Sequence, residues 1–278
     1  GNGALILALV SLTGLFAELP KPGRRRSLLL FYGLGSVGGV AALLLSGTRG
    51  GWLALPVIAL VGLWAYRGVL IRRPRLLALA LVIIATLGVV AGNMKIVSDR
   101  VDVAMSEARS YFTEHRVGTS VGLRLEMWKA GALMFSAHPV TGVGESQFHS
   151  ELQSLVADGK IDGGLLTFRH LHNQFVDHAA KGGLLALAAL LLVFVVPVML
   201  FWRYLSSTEP TIKACAFAGV AFTLSFVVFC LTQGMFSRNL GVMMYVILPL
   251  CLWAIIRQSE AEDADGQSSA LVSSRRLV

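Results

Sequence analysis

The stretch RHLHNQFVDHAAKGG, residues 169–183, gathers three histidines, an aspartate, an arginine and a lysine directly before a long run of leucine and alanine. Imidazole titrates near neutral pH, so His170, His172 and His178 are candidates for acid–base work. Clustered histidines can also hold a metal, but no H-E-x-x-H pattern is present, and His170 and His172, two residues apart, would diverge on a helix. If a helix runs from about residue 171, His172 shares a face with Phe175, Val176, Ala179 and Gly183 and points into a helix bundle. Asp177 would then pair with Lys181 four residues on, along the wet side. A histidine satisfied at a membrane interface fits the same spacing.

Fixed positive charge is available at three further places. Arg49 lies in LLLSGTRGGWLAL (43–55), where small residues let backbone amides face an anion together with the guanidinium. Arg124 lies in SVGLRLEMWKAGALMF (120–135), on a stripe of Val121, Leu125, Trp128, Ala132 and Phe135. On that stripe it either snorkels to headgroups from an interfacial helix or turns inward to meet an anion. Arg238 sits in TQGMFSRN (232–239). An ionisable group facing a cavity at membrane depth is a functional candidate, and Arg49, Arg124, Arg238 and His172 could surround one outward-facing pocket.

Positioning such groups falls to membrane helices. The chain is 55% hydrophobic, only 14% charged and has a mean hydropathy of +0.69, which marks an integral membrane protein. A bilayer core about 30 Å thick needs roughly 20 apolar residues per helix. Stretches 3–17, 28–45, 52–71, 76–92, 182–202, 212–232 and 235–256 approach or meet that length. The fold expected is all-α: four membrane helices within 1–92, an amphipathic segment over 93–181, three membrane helices within 182–256, and a polar, disordered tail over 257–278. Cys215, Cys230 and Cys251 fall inside the expected helices and read as small core residues.

Orientation follows from the loops. PKPGRRRS (20–27) and YRGVLIRRPR (66–75) are basic and read as cytoplasmic, as does the tail with Arg257, Arg275 and Arg276. Helix parity then places 46–51, 93–181 and 232–239 on the opposite face, which holds all six histidines. The net charge of +8 is accounted for by this orientation and by anionic lipid, so nucleic acid is not an expected partner. Within the outer segment, Ser98 reads as a helix N-cap, HPVTGVGESQF (138–148) as a turn-rich linker, and ADGKIDGGLL (157–166) as a loop.

Three stretches taken in order, LSGTRGGWLAL, RLEMWKAGALMFSAHPVTGVGESQF and HNQFVDHAAKGGLLA, resemble the shared C-terminal region of bacterial O-antigen ligases, O-antigen polymerases and protein O-oligosaccharyltransferases. The resemblance covers residues 43–190. A His-Asn pair, nine intervening residues and then a Gly match His172, Asn173 and Gly183, while Ala186 stands where the pattern has a second Gly. The resemblance implies a polytopic helix bundle of the GT-C glycosyltransferase type, largely helical on its periplasmic side. It implies an inner-membrane enzyme that transfers a glycan from undecaprenyl pyrophosphate to lipid A core at the periplasmic face, in lipopolysaccharide biosynthesis, with no metal or other cofactor. It also implies further membrane helices upstream of Gly1. The arginines matching the family's functional ones are Arg49 and Arg124, and the matching histidine is His172. Arg116, Arg169, His170, Asn173 and Arg238 are expected to contact substrate or headgroups.

Pyrophosphate departs readily if fixed cations meet its developing charge, and neighbouring arginines keep a histidine neutral and basic. The expected reaction is therefore a single displacement at the anomeric carbon with inversion. The nearest rivals are a polymerase and a protein O-oligosaccharyltransferase of the same superfamily, although the Arg, ten residues, Gly spacing of some polymerases is not met from Arg49, Arg116 or Arg124. A transporter of lipid-linked glycan or anion, in which the arginines only bind, is the rival of another class. It would favour repeated halves, and no internal repeat is visible.

Overall fold

The computed structural model describes residues 2–46, 49–72 and 95–275. Among the described residues all regular structure is helical, and the chain is an all-α, multi-pass membrane protein. Helices long and apolar enough to cross a bilayer are Arg26–Leu43, Gln174–Trp202, Pro210–Cys230 and Asn239–Glu262, while Asn2–Glu18 and Gly51–Ala65 are shorter apolar helices. The expected span 76–92 lies outside the described residues. The chain divides into two compact units, one formed by 1–67, 194–229 and 239–278, the other by 68–193 and 230–238.

In the first unit, α1 (Asn2–Glu18) packs along α2 (Arg26–Leu45). Small residues make the close approach possible. A Cβ on Gly35 would meet the Ser11 side chain, and one on Gly39 would stand 2.8 Å from the Ala4 carbonyl oxygen and the Ala8 amide nitrogen. Lipid tails give apolar helices no hydrophobic reason to associate, so backbone proximity and dispersion carry such contacts. α3 (Arg49–Ala65) follows, then the short α4 (Arg67–Arg72), which begins at the boundary of the unit. The central helix is α9 (Pro210–Cys230), with Ala214, Ala216, Phe217, Ala218, Val220, Ala221, Phe222 and Phe226 all buried. Phe217 meets Phe16 and Tyr66, and Phe222 and Phe226 meet Tyr245 of α10 (Asn239–Arg275). The helix α10 continues to Arg275, through a tail that composition alone marks as disordered. Leu30, Phe31, Leu34 and Val37 on α2, and Leu240, Met243, Ile247 and Leu250 on α10, are exposed and suit a lipid-facing surface.

The second unit contains α5 (Lys95–Glu114), α6 (Ser120–Ala137), α7 (Phe148–Ala157), a 3-10 turn over Gly163–Thr167, the first part of α8 (Gln174–Trp202), and a 3-10 turn over Met235–Ser237. Ser98 falls within the first turn of α5 and so is not its cap. The next helix has a side-chain cap: Thr119 accepts from the Gly122 amide at 3.0 Å and starts α6. Met127, Ala130 and Met134 of α6, Phe148, Leu152 and Leu155 of α7, and Leu165, Leu171 and Ala180 form one buried core. The buried stripe of α6 therefore runs through 127, 130 and 134, and the expected stripe of Val121, Arg124, Leu125, Trp128, Ala132 and Phe135 forms its partly exposed flank.

The linker 138–147 locks onto α8 through main-chain hydrogen bonds. The amides of Val143 and Gly144 donate to the carbonyls of Ala180 and Lys181, and the amides of Leu184 and Leu185 donate to those of Pro139 and Val140. The helix α8 breaks its own ladder at Gly183, where φ is +61° and ψ is −155°. The groups freed by the break are the ones the linker satisfies, as buried backbone polar groups require.

Candidate functional site

The helix α8 starts at Gln174, three residues later than the sequence reading placed it, and the reason lies in Asn173. Its side-chain oxygen accepts from the amides of Phe175 at 3.0 Å and Val176 at 3.2 Å, an N-cap that fixes where the helix begins. His172 is therefore not on a helical face. It sits in the turn before the cap with φ of +50°, a left-handed conformation that residues other than glycine adopt at a cost.

Freed from helical geometry, the two histidines do not diverge. Their ring centroids are 4.6 Å apart, and the Phe168 ring lies edge-on to His172 at 5.9 Å. Among the described residues no three His, Cys, Asp or Glu side chains gather as a metal site.

Two charged residues of α8 hold this turn. Asp177 accepts from the Leu171 amide at 3.0 Å and pairs with Lys181 at 3.2 Å. Lys181 donates to the Arg169 carbonyl at 2.9 Å, pairs with Glu145 at 3.1 Å and lies 4.4 Å from the centre of the Phe148 ring. The expected i,i+4 pair thus forms, but on the protein-facing side, since the two side chains are only 9% and 11% exposed. One brace holds the backbone on both sides of His170.

Other elements close around the turn. Gly131 brings α6 against α8, since a Cβ there would meet the side chains of Val176 and Leu171. Gln174 accepts from the Phe236 amide at 2.9 Å and contacts His178 Nδ1 at 3.1 Å, fastening the 230–238 segment to the start of α8. Gly234 of that segment lies against His170. The electrostatic result is concentrated on His172. Partial burial lowers its pKa below the usual imidazole value, and the positive charges of His170, Arg124 and Arg238 lower it further. Arg124 and Arg238, from separate elements, both act on this imidazole.

The remaining expected residues stand elsewhere. Arg49 is the first residue of α3, and its side chain lies outside the described part of the structure. Arg116 is exposed and pairs with Glu114 at 3.5 Å. Arg169 is exposed and borders an open cleft of about 510 Å³, which is also lined by Glu145, Phe148, His149, Leu166 and Thr167.

Sequence reasoning passed over Glu126. This carboxylate is 3% exposed. It accepts from the Tyr111 hydroxyl at 2.5 Å and the Asp162 amide at 3.0 Å, with Lys129 at 3.4 Å. Its only sequence signal was a glutamate within an apolar helical run.

The model of a family described as O-antigen ligase matches residues 34–191, more than half of the chain. An uncharacterized protein of Haemophilus influenzae is 26% identical over 207 residues, which are 74% of this chain and 52% of that protein. The O-antigen ligase of Escherichia coli K12 is 26% identical over 156 residues, 55% of this chain and 36% of the ligase. The chain thus spans about half or less of the length of these relatives. The matched region contains α6, the linker, the His172 turn and the start of α8, and the chain belongs to the O-antigen ligase family.

Proposed function

We propose that the protein is an O-antigen ligase, a glycosyltransferase that moves a glycan from undecaprenyl pyrophosphate to a hydroxyl of lipid A core at the periplasmic face of the bacterial inner membrane. The observation that carries this reading is the setting of His172: a half-buried imidazole in a braced turn, beside His170 and under the influence of Arg124 and Arg238, where burial first and then the neighbouring charge lower its pKa and favour the neutral ring. A neutral imidazole accepts a proton, and the same cations attract the anion that must leave.

In the proposed reaction His172 takes the proton of the acceptor hydroxyl as its oxygen attacks the anomeric carbon. The bond from that carbon to the pyrophosphate oxygen breaks, and undecaprenyl pyrophosphate leaves with the electron pair. Arg124 binds the departing pyrophosphate, since guanidinium forks match its oxygens and need little reorganisation, and Arg49 takes a substrate-binding role on the family resemblance alone. A single displacement inverts the anomeric configuration. Arg238, His170, Arg169 and Arg116 serve as substrate contacts. Asn173 keeps its amide NH₂ for that role, because its oxygen is engaged as the helix cap. The chemistry assigned to these groups needs neither a metal nor a nucleotide.

The test is transfer of a labelled glycan from undecaprenyl pyrophosphate to purified lipid A core by the full-length protein, with EDTA present. His172→Ala should lower kcat on the order of 10²–10⁴-fold, the usual contribution of a general base. Arg124→Ala and Arg49→Ala should also lower it. Unchanged turnover in His172→Ala would remove the catalytic assignment, and transfer only to a second glycan repeat would make the protein a polymerase.

A further inference from the structure

Apart from Arg169, the residues of the cleft it borders have no role in the reaction as described, yet the cleft adjoins the residues that perform it. Its lining comes from the end of the linker (Glu145), the start of α7 (Phe148 and His149), the 3-10 turn (Leu166 and Thr167) and Arg169. Arg169 stands three residues before His172. The brace that holds His172 also shapes the cleft, because Lys181 binds the Glu145 carboxylate, the Arg169 carbonyl and the face of Phe148 at once. A ligand seated there is therefore tied to the His172 turn through one ammonium group.

The lining chemistry identifies the class of ligand. The two cations, Arg169 and Lys181, are matched by the two carboxylates Glu145 and Asp177, so the cleft has no excess positive charge and is poorly suited to a phosphate or an acidic headgroup, which would meet Glu145 as a like charge. Both kinds of hydrogen-bonding group are present. Arg169 donates, Glu145 accepts, the His149 imidazole does either, and the Thr167 hydroxyl, which donates to the Gly164 carbonyl at 3.0 Å, keeps its lone pairs for an incoming donor. Phe148 and Leu166 add apolar floor. A pyranose presents this combination, hydroxyls on its rim and C–H groups on its faces. The volume, about 510 Å³, lies within the usual range for small-molecule sites.

We infer that this cleft is a saccharide-binding subsite for a neutral, hydroxyl-rich sugar of one of the two glycan substrates, next to the His172 turn. The inference rests on the ligase reading only for which substrate carries the sugar. Saccharide binding by the cleft does not depend on it.

The test uses the full-length protein in nanodiscs and two exposed positions outside the proposed machinery, His149→Ala and Thr167→Val. In transfer kinetics, each variant should raise KM at least fivefold for one glycan substrate, leaving kcat and the other KM within twofold. A rise for lipid A core places the acceptor in the cleft, and a rise for the lipid-linked donor places the donor glycan there. Both KM values within twofold of wild type overturn the proposal. A second arm measures calorimetric binding of delipidated, phosphate-free core oligosaccharide and of the released donor oligosaccharide. Saturable binding of either one that survives His172→Ala but weakens at least fivefold in Thr167→Val supports the site, even if no transfer to lipid A core is ever observed. No saturable binding of either sugar, or binding unchanged by both cleft substitutions, overturns it.

Discussion

Gly142 and Gly183 meet backbone to backbone: both have left-handed φ, +64° and +61°, and a Cβ on Gly183 would stand 2.6 Å from the amide nitrogen of Gly142. A Cβ on Gly142 would in turn meet the Lys181 carbonyl oxygen at 2.5 Å. Alanine at either position meets both a steric and a conformational penalty, which together should destabilise the second unit by roughly 2–4 kcal/mol. Thermal unfolding of Gly183→Ala in detergent should show a clearly lowered midpoint. An unchanged midpoint would mean that the interlock of linker and helix is loose.

The pH dependence of transfer follows from His172. Its pKa is lowered, so the imidazole stays neutral below the ordinary histidine value of about 6.5. Activity should fall only as pH drops through that lowered pKa, which puts the acid limb below the usual one. Replacing a neighbouring cation removes a force that lowers the pKa, so His170→Gln and Arg124→Gln should shift the acid limb of kcat/KM toward higher pH. An acid limb that does not move in either variant would mean that another group controls it.

The Asp177–Lys181 pair acts on the backbone rather than on substrate. Lys181→Met leaves a buried carboxylate with only the Leu171 amide as partner, a change expected to cost about 3–5 kcal/mol. Asp177→Asn keeps an oxygen for that amide and should retain more activity than Asp177→Ala, which releases the turn. The informative readout is kcat at saturating donor. A merely structural role would lower the amount of folded protein and leave kcat per folded molecule unchanged.

Much of the fold was legible because lipid imposes a simple rule on composition, and runs such as 212–232 and 235–256 correspond to helices α9 and α10. Placing Arg49, Arg124, Arg238 and His172 on one membrane face suggested a shared pocket, and of these the structure puts Arg124 and Arg238 within electrostatic reach of the His172 imidazole. Periodicity failed at His172, because the start of a helix is set by its cap. The Asn173 side chain stops the helix one residue short of the histidine. Periodicity also put Arg124 on an apolar stripe, whereas the buried face of α6 runs through Met127, Ala130 and Met134, beside Gly131, where a Cβ would meet Val176 and Leu171. The Lys181 contacts with Glu145 and Arg169 join residues 36 and 12 positions apart, and no local pattern announces them.

Glu126 offers the last test, since it joins three elements that local sequence does not connect. Tyr111 reaches it from α5, Lys129 from the next turn of α6, and the Asp162 amide from the loop before the 3-10 turn. The phenol is held neutral, its pKa pushed up by burial first and then by its hydrogen bond to the carboxylate. Tyr111→Phe removes the hydroxyl and leaves one oxygen of a buried carboxylate short of a partner, which should cost about 1–3 kcal/mol. Glu126→Gln keeps an acceptor for the Asp162 amide but weakens the charge-assisted bond to Tyr111, so it should cost less than Glu126→Ala. Because α6 also carries Arg124, the looser variants should raise the donor KM along with the loss of stability. Hydrogen exchange would locate the effect, with faster exchange expected at the amides of 162–165 and the first turn of α6. Exchange unchanged there in Tyr111→Phe would show that the carboxylate is held by the Asp162 amide and Lys129 without the phenol.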